Sequence, residues 1–127
     1  MTILKRSNLR PNPADLPDNE ARLIYERFDI ASNEVIVDGQ PIRWEEIEEV
    51  EVAPAPRAAG PAGWLVRNLV HGDERYHVGL YFGRSEAVLP NISLNVARFV
   101  VQAVAYYAPL PVRYRGPDGL SPTVEEP

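Results

Sequence analysis

Alternating apolar and polar positions dominate the chain between residues 20 and 90, and this pattern is typical of short β-strands. Seven stretches fit it, at about 22–30, 34–38, 40–44, 48–53, 63–71, 75–82 and 85–89. The clearest local signal is Asp38–Gly39 between two extended runs. Glycine accepts a positive φ angle at little cost, so this pair favours a type I′ hairpin turn. The pattern therefore predicts a meander of strands.

One stretch, IRWEEIEEVEV at residues 42–52, fits either a short acidic helix or two strands joined by a bend. A helix here would lack a clear N-cap residue and would place glutamates at destabilising helical spacings. It would also be short enough to be marginal without tertiary packing. We therefore predict a strand up to Trp44, a bend at Glu45–Glu46 and a second strand over 48–53.

A helical periodicity begins after the last predicted strand. Asn91 or Ser93 can supply the N-cap oxygen, and the helix should run to about Tyr107 because Pro109 cannot continue it. Eight of the thirteen prolines lie before residue 20 or after residue 108, where they favour irregular backbone. We therefore expect a Pro-rich flank at 1–19, a compact domain at 20–110 and a mobile tail at 111–127.

The predicted helix is apolar on more than one face. A helix that covers a sheet needs an apolar stripe of about 100°, and here Asn95, Arg98 and Gln102 form only one narrow polar stripe. Exposed apolar faces of this kind mark interaction sites. We therefore assign Leu94 and Ala97 to a candidate interface for a partner protein or a second copy of the chain. The alternative is that the Pro-rich N-terminal flank covers this face within one chain.

Composition argues against several classes of function. The net charge of −5 disfavours a nucleic-acid-binding surface, because phosphate contacts require clustered Lys and Arg. The absence of cysteine removes disulfides and thiolate metal sites and fits a reducing compartment, so we expect a cytoplasmic protein without a secretory signal. The longest apolar run, Phe99–Ala108, is much shorter than the roughly 20 residues that span a bilayer, so we expect no integral membrane segment.

Few residues are suited to chemistry. His71 and His77, with Asp73 and Glu74 between them, could bind a metal, but a polar hairpin tip with solvated histidines fits the pattern better. The glutamates at 45–51 could form a docking patch or a weak cation site, and a solvated bend and strand face is the simpler interpretation. Nucleotide-binding and hydrolase fingerprints are absent from the sequence. We expect no enzymatic activity, no cofactor and no metal site.

The seven strands and the closing helix resemble the pleckstrin-homology-like (PH-like) domains of bacteria, in which a hairpin runs into a tryptophan-plus-acid bend. The corresponding segments here are GQPIRWEEIEEVEV at 39–52 and ISLNVARFVVQAVAYYA at 92–108. The resemblance covers about residues 20–108. It implies a mainly β fold with one α-helix, namely a seven-stranded barrel or sandwich capped by the C-terminal helix, and a role as a binding scaffold. It carries over no catalytic or binding residue.

The resemblance also bears on lipid binding. PH domains that bind phosphoinositides have a basic cluster around the first hairpin loop, whereas the loop here, DIASNEV at 29–35, has two acids and no base. We therefore expect no phosphoinositide binding. The leading hypothesis is a non-enzymatic interaction or scaffold domain that binds a protein partner or self-associates through the C-terminal helix. The alternative is a peripheral domain that binds a lipid or small ligand at the open end of the barrel.

Overall fold

A computed structural model describes residues 2–4, 6–54, 75–117 and 124–125. Over these residues the fold is mainly β, with one long and one shorter α-helix, which confirms the expected combination of strands with a closing helix. The helices are α1 (Asp18–Arg27) and α2 (Leu94–Tyr107), and short 3-10 turns cover Pro13–Asp15 and Trp44–Glu46. The strands are β1 (Thr2–Leu4), β2 (Phe28–Ile30), β3 (Glu34–Val37), β4 (Gln40–Arg43), β5 (Ile47–Pro54), β6 (Tyr76–Phe82), β7 (Ser85–Ile92), β8 (Arg113–Arg115) and β9 (Val124–Glu125).

The described strands form two sheets. The larger sheet has six strands in the order β7-β6-β5-β8-β1-β9, and the smaller has three in the order β2-β3-β4. Strands β5, β6 and β7 make the antiparallel meander that the sequence indicates, whereas β8 runs parallel to β5. Over the described ranges the two sheets do not close into a barrel, so the expected seven-stranded barrel is not observed. The strand predicted at 63–71 lies outside the described residues.

The strand predicted over 22–30 is wrong for most of its length, because these residues belong largely to α1 and only Phe28–Ile30 is a strand. The charges fit a helix: Asp18 lies in the first turn and Arg27 in the last, where each interacts favourably with the helix dipole. Ile24 is buried, and it lies four residues before the buried Phe28. A spacing of four residues fits the alternation of a strand as well as the turn of a helix, so the sequence pattern alone predicted a strand here.

The flanks also differ from the expectation of irregular chain. Strand β1 pairs with β8 in antiparallel register, with Thr2 opposite Tyr114 and Ile3 opposite Arg113. Leu4 is buried in the core, and its backbone N–H donates to the carbonyl of residue 112 over 2.9 Å. Short β-prone runs next to the prolines therefore extend the sheet on both sides of the predicted domain limits at 20 and 110.

The bend at Trp44–Glu46 forms as predicted, here as one 3-10 turn between β4 and β5. The buried Trp44 indole stacks on Tyr107 of α2 with a centroid distance of 4.9 Å, and it meets the edge of Phe28 at 6.3 Å. Its Nε1–H donates to the Ala31 carbonyl oxygen over 2.8 Å. A single side chain thus contacts β2, the loop after it and the end of α2.

The Asp38–Gly39 turn has the geometry that its sequence indicates. Both residues have positive φ angles, 48° and 86°, which confirms the type I′ turn between β3 and β4. The Arg27 guanidinium donates to both carboxylate oxygens of Asp38, at 2.8 and 2.9 Å. These hydrogen bonds lower the pKa of Asp38 and join the turn to the end of α1.

The turn can be tested with Gly39→Val, which we expect to lower the free energy of unfolding by about 1–2 kcal/mol, because a β-branched residue resists positive φ. A Cβ at Gly39 would meet no atom within 4 Å, so the effect reports backbone strain rather than a clash. Gly39→Asn is the matched control, since asparagine tolerates this region. Denaturant unfolding measures both variants, and equal stability of Gly39→Val and wild type would contradict the assignment.

The Trp44 contacts predict that Trp44→Ala lowers the free energy of unfolding by about 3–5 kcal/mol, the range for removing a large buried aromatic. Trp44→Phe should lose less, because it keeps an aromatic ring against Tyr107 but not the hydrogen bond to Ala31. Urea denaturation compares the two variants. With Trp64 replaced by phenylalanine, Trp44 emission should also be blue-shifted in the folded protein. A solvent-exposed emission wavelength would refute the packing described here.

Candidate interaction surface

The first carboxylates of the acidic stretch have partners next to the bend. The Glu45 carboxylate lies 2.6 Å from the Arg43 guanidinium, and Glu46 accepts a hydrogen bond from the Arg43 backbone N–H over 3.3 Å. Glu48 accepts from the backbone N–H of Gly83 over 2.7 Å, which links the start of β5 to the β6–β7 turn. These glutamates therefore stabilise local structure.

The remaining two glutamates belong to a charged cluster on one face of the large sheet, formed by Glu49, Glu51, Tyr81, Arg113 and Arg115. Glu49 lies 3.4 Å from Arg113 and 2.7 Å from Arg115. Glu51 lies 3.7 Å from Arg115 and accepts a 2.7 Å hydrogen bond from the Tyr81 hydroxyl. The cluster connects β5, β6 and β8, so these two glutamates have partners within the sheet.

The hydrogen bond to Glu51 raises the pKa of Tyr81 to about 12, because loss of the hydroxyl proton would remove the bond and bring two negative charges together. The folded state therefore favours the neutral phenol. This contribution to stability is fully present below the ordinary tyrosine pKa of about 10 and is lost as the pH rises through about 12.

Glu51→Ala should return the pKa of Tyr81 towards its ordinary value, since the hydrogen bond and the adjacent charge both disappear. The Tyr81 Cζ chemical shift, followed by NMR as a function of pH, measures this titration. Glu86→Ala is the control, because Glu86 acts on Tyr81 only through its charge and has a smaller effect. A Tyr81 titration that is the same with and without the Glu51 carboxylate would contradict the proposed pairing.

Of the two histidines considered as metal ligands, the structure describes His77. His77 lies on β6, and its Nδ1 accepts a 3.0 Å hydrogen bond from the backbone N–H of Asn91, which places the proton of the neutral ring on Nε2. His71, Asp73 and Glu74 lie outside the described residues. Within the described ranges, no group of three or more His, Asp or Glu side chains is arranged to hold a metal ion.

Helix α2 is buried on more than one side, and the two candidate interface residues differ in their exposure to solvent. Leu94, in its first turn, is 38% exposed, whereas Ala97 is fully buried. Ala97 therefore presents no accessible surface, because α2 packs inside the fold at this position. The buried residues of the helix are Val96, Ala97, Phe99, Val100, Val101, Ala103, Val104 and Ala105.

Residues 6–17, the N-terminal strap, follow α2 along the face that carries the polar stripe. The Ser7 N–H donates to the Ala105 carbonyl over 3.0 Å, and the Gln102 side chain reaches the Leu9 carbonyl at 3.5 Å. The strap therefore runs antiparallel to α2. The N-terminal flank thus contacts α2 within one chain, but it does so along the polar stripe rather than along the apolar face named in that alternative.

A cavity of about 260 Å³, the apolar groove, lies where β1 and the strap meet the end of α2. Two side chains at the groove are exposed apolar groups, Leu110 at 59% and Ile3 at 38%. Arg6 is the one charged residue in the lining. The complete lining is Ile3, Leu4, Arg6, Val104, Ala105, Ala108, Pro109, Leu110, Pro111 and Val112.

Two further cavities lie under the strap. One of about 210 Å³ separates the strap from the polar stripe of α2, at Asn95, Arg98 and Gln102. The other, of about 150 Å³, lies between strap residues 10–13 and the α1–β2 junction, next to Tyr25 and Tyr107. Each of these three cavities is therefore lined partly by the N-terminal segment.

Sequence reasoning missed the apolar groove because its residues lie in the proline-rich flanks. The available signal was one apolar residue in each flank, namely Ile3 in TIL at 2–4 and Leu110 between Pro109 and Pro111. The sequence of neither flank shows that β1 pairs with β8, because the two strands are far apart along the chain. Only the pairing of the two strands brings Ile3 close to the end of α2.

Comparisons with protein families, curated proteins and solved structures found no match for this chain. The geometry described above is therefore the basis for assigning a role. No helix among the described residues is both long and apolar enough to cross a membrane.

Proposed function

We propose that this chain is a non-enzymatic interaction module on a PH-like scaffold, and that it binds a protein partner through the apolar groove. The observation that carries the proposal is the exposure of Ile3 and Leu110 beside a cavity of about 260 Å³ whose lining is apolar except for Arg6. Exposed apolar side chains at a concave surface are typical of a site that becomes buried on binding.

The rigidity of the groove supports this role. Leu110 lies between Pro109 and Pro111, whose rings fix the backbone φ angle, and Ile3 belongs to a strand paired on both sides. A surface that is already ordered loses less conformational entropy when a partner binds. The groove thus offers a preformed position for one or two apolar side chains of a partner.

The PH-like scaffold is supported by the order of its elements. A hairpin, a tryptophan-plus-acid bend, a three-stranded meander and a closing helix follow one another as β3–β4, Trp44–Glu46, β5–β7 and α2. The Trp44 side chain packs on the closing helix. These features fit a PH-like domain whose barrel is open over the described residues and whose sheet is extended by β8, β1 and β9.

Binding of a small apolar ligand or lipid tail is the second candidate, and the apolar lining of the groove with Arg6 beside it is the observation that favours it. The volume of about 260 Å³ lies just below the roughly 300–1,000 Å³ of most small-molecule sites. A protein side chain fits this space better than a whole ligand does. The loop at 29–35 remains without any basic residue that could hold a phosphoinositide.

The proposal predicts position-dependent crosslinking in cells. With p-benzoyl-phenylalanine in place of Leu110, a defined partner should crosslink after irradiation, whereas the same probe in place of Val88 on β7 should not capture it. Val88 is the control because it is also an apolar strand residue with an exposed side chain. Leu110→Glu should weaken binding of the captured partner at least about tenfold, as expected for loss of a central apolar contact.

Equal capture from positions 110 and 88, or unchanged binding by Leu110→Glu, would contradict the groove as the binding site. The ligand alternative is tested with anionic and neutral vesicles. Vesicle binding that Leu110→Glu abolishes, without a protein crosslink at position 110, would favour the second candidate over the first.

A further inference from the structure

The N-terminal segment, residues 2–12, occupies a site on the body of the protein that the same segment of a second copy could fill. Strand β1 lies between β8 and β9 and pairs with both through backbone hydrogen bonds. The strap then continues along α2, where Ser7 N–H donates to the carbonyl of Ala105 in the last turn of the helix. That carbonyl has no partner within the helix, so the body of the protein provides a prepared acceptor for an extended segment.

Only part of the strap is closely packed, because Ser7 and Pro11 are buried whereas most of its other residues are exposed. Besides the Ser7 bond, its described hydrogen bonds to the helix end are long, at 3.5 Å from Gln102 to the Leu9 carbonyl and 3.4 Å from Arg6 to the Ala108 carbonyl. The Leu9 side chain is 73% exposed. The cavities of about 210 and 150 Å³ beneath the strap show incomplete packing against the body. Loss of close contacts around such cavities lowers the cost of detaching the segment.

The connection between the strap and α1 can straighten at little cost. Asn12 and Leu16, which precede Pro13 and Pro17, already have extended backbone angles. The segment between them is one 3-10 turn over Pro13–Asp15, and it buries no residue. Proline also disfavours helical backbone in the residue before it, so α1 does not extend into the strap. Opening this single turn is enough to direct residues 2–12 away from their own body.

From these observations we infer that two copies of the chain associate by exchanging residues 2–12. The β1 strand and strap of each copy occupy the β8–β9 site and the α2 face of the other. The exchanged dimer keeps every contact of the closed monomer and changes only the turn at Pro13–Asp15, so the equilibrium depends chiefly on protein concentration. This inference goes beyond the proposed function, because the exchange uses the β8–β9 site and the α2 face and leaves Leu110 of the apolar groove exposed.

The exchange can be trapped because the native chain contains no cysteine. Ile3 and Arg113 are opposite each other in the β1–β8 pair, and both are exposed. Opposite residues of antiparallel strands lie at a separation that suits a disulfide. In the variant Ile3→Cys with Arg113→Cys, oxidation joins β1 to the body that it occupies. The disulfide is intramolecular in the closed monomer and intermolecular in the exchanged dimer.

The control is a cysteine pair that cannot exchange, Glu34→Cys with Arg43→Cys in the β3–β4 hairpin. Both full-length variants are incubated at low and at high concentration, diluted, oxidised and separated on a non-reducing gel. We expect covalent dimer from the strap pair in a fraction that rises with concentration, and monomer from the hairpin pair. In a mixture of isotopically labelled and unlabelled chains, mass spectrometry should find positions 3 and 113 linked between chains.

A strap disulfide that forms only within single chains at every concentration would overturn the exchange. Sedimentation of the unmodified chain gives an independent readout, and a mass that stays at 14.2 kDa at high concentration has the same consequence. If a different protein is still captured from position 110, exchange alone has failed and the interaction module stands. If position 110 captures nothing either, the proposed function fails as well.

Discussion

The packing of one indole ring determines how the two sheets and the long helix are arranged. Trp44 lies where the chain leaves the small sheet and enters the large one, and its ring stacks on Tyr107 near the end of α2. The same indole donates to the Ala31 carbonyl in the loop after β2. A buried N–H without an acceptor would be costly, so this bond restricts the ring to one orientation. The small sheet, the bend and α2 therefore adopt fixed relative positions, on which the apolar groove at the end of α2 also depends.

The glutamates of the acidic stretch after Trp44 have partners within the protein. The glutamates after Trp44 give the sequence its acidic appearance, but their described contacts are with Arg43, Gly83, Tyr81 and the arginines of β8. Exposed pairs of this kind contribute modestly to stability and depend on salt. Their main effect here is on register, since Glu49 and Glu51 each face an arginine across the parallel β5–β8 pair.

Turns, bends and helix starts could be predicted from a few adjacent residues, whereas contacts between residues far apart in the chain could not be predicted from the sequence. The turn at Asp38–Gly39, the bend after Trp44 and the helix that begins after Ser93 each follow from a few adjacent residues, and each is observed. Helix α1 was missed because Ile24 and Phe28, spaced by four, fit an alternation as well as a helix. Strand β8 was missed because its parallel pairing with β5 has no local signature. For the same reason, the sequence could not distinguish the buried Ala97 from the exposed Leu94.

The insertion of β1 between β8 and β9 also has a consequence for the order of folding. Thr2 pairs with Tyr114, so a contact at one end of the described chain requires residues more than a hundred positions later. Contacts of such long sequence separation require closure of a long loop and form slowly. The β5–β6–β7 meander can assemble from neighbouring segments, whereas this half of the large sheet must wait until β8 is available. On a ribosome, β1 therefore stays without its native partners until β8 has been translated, and this side of the sheet is completed only afterwards.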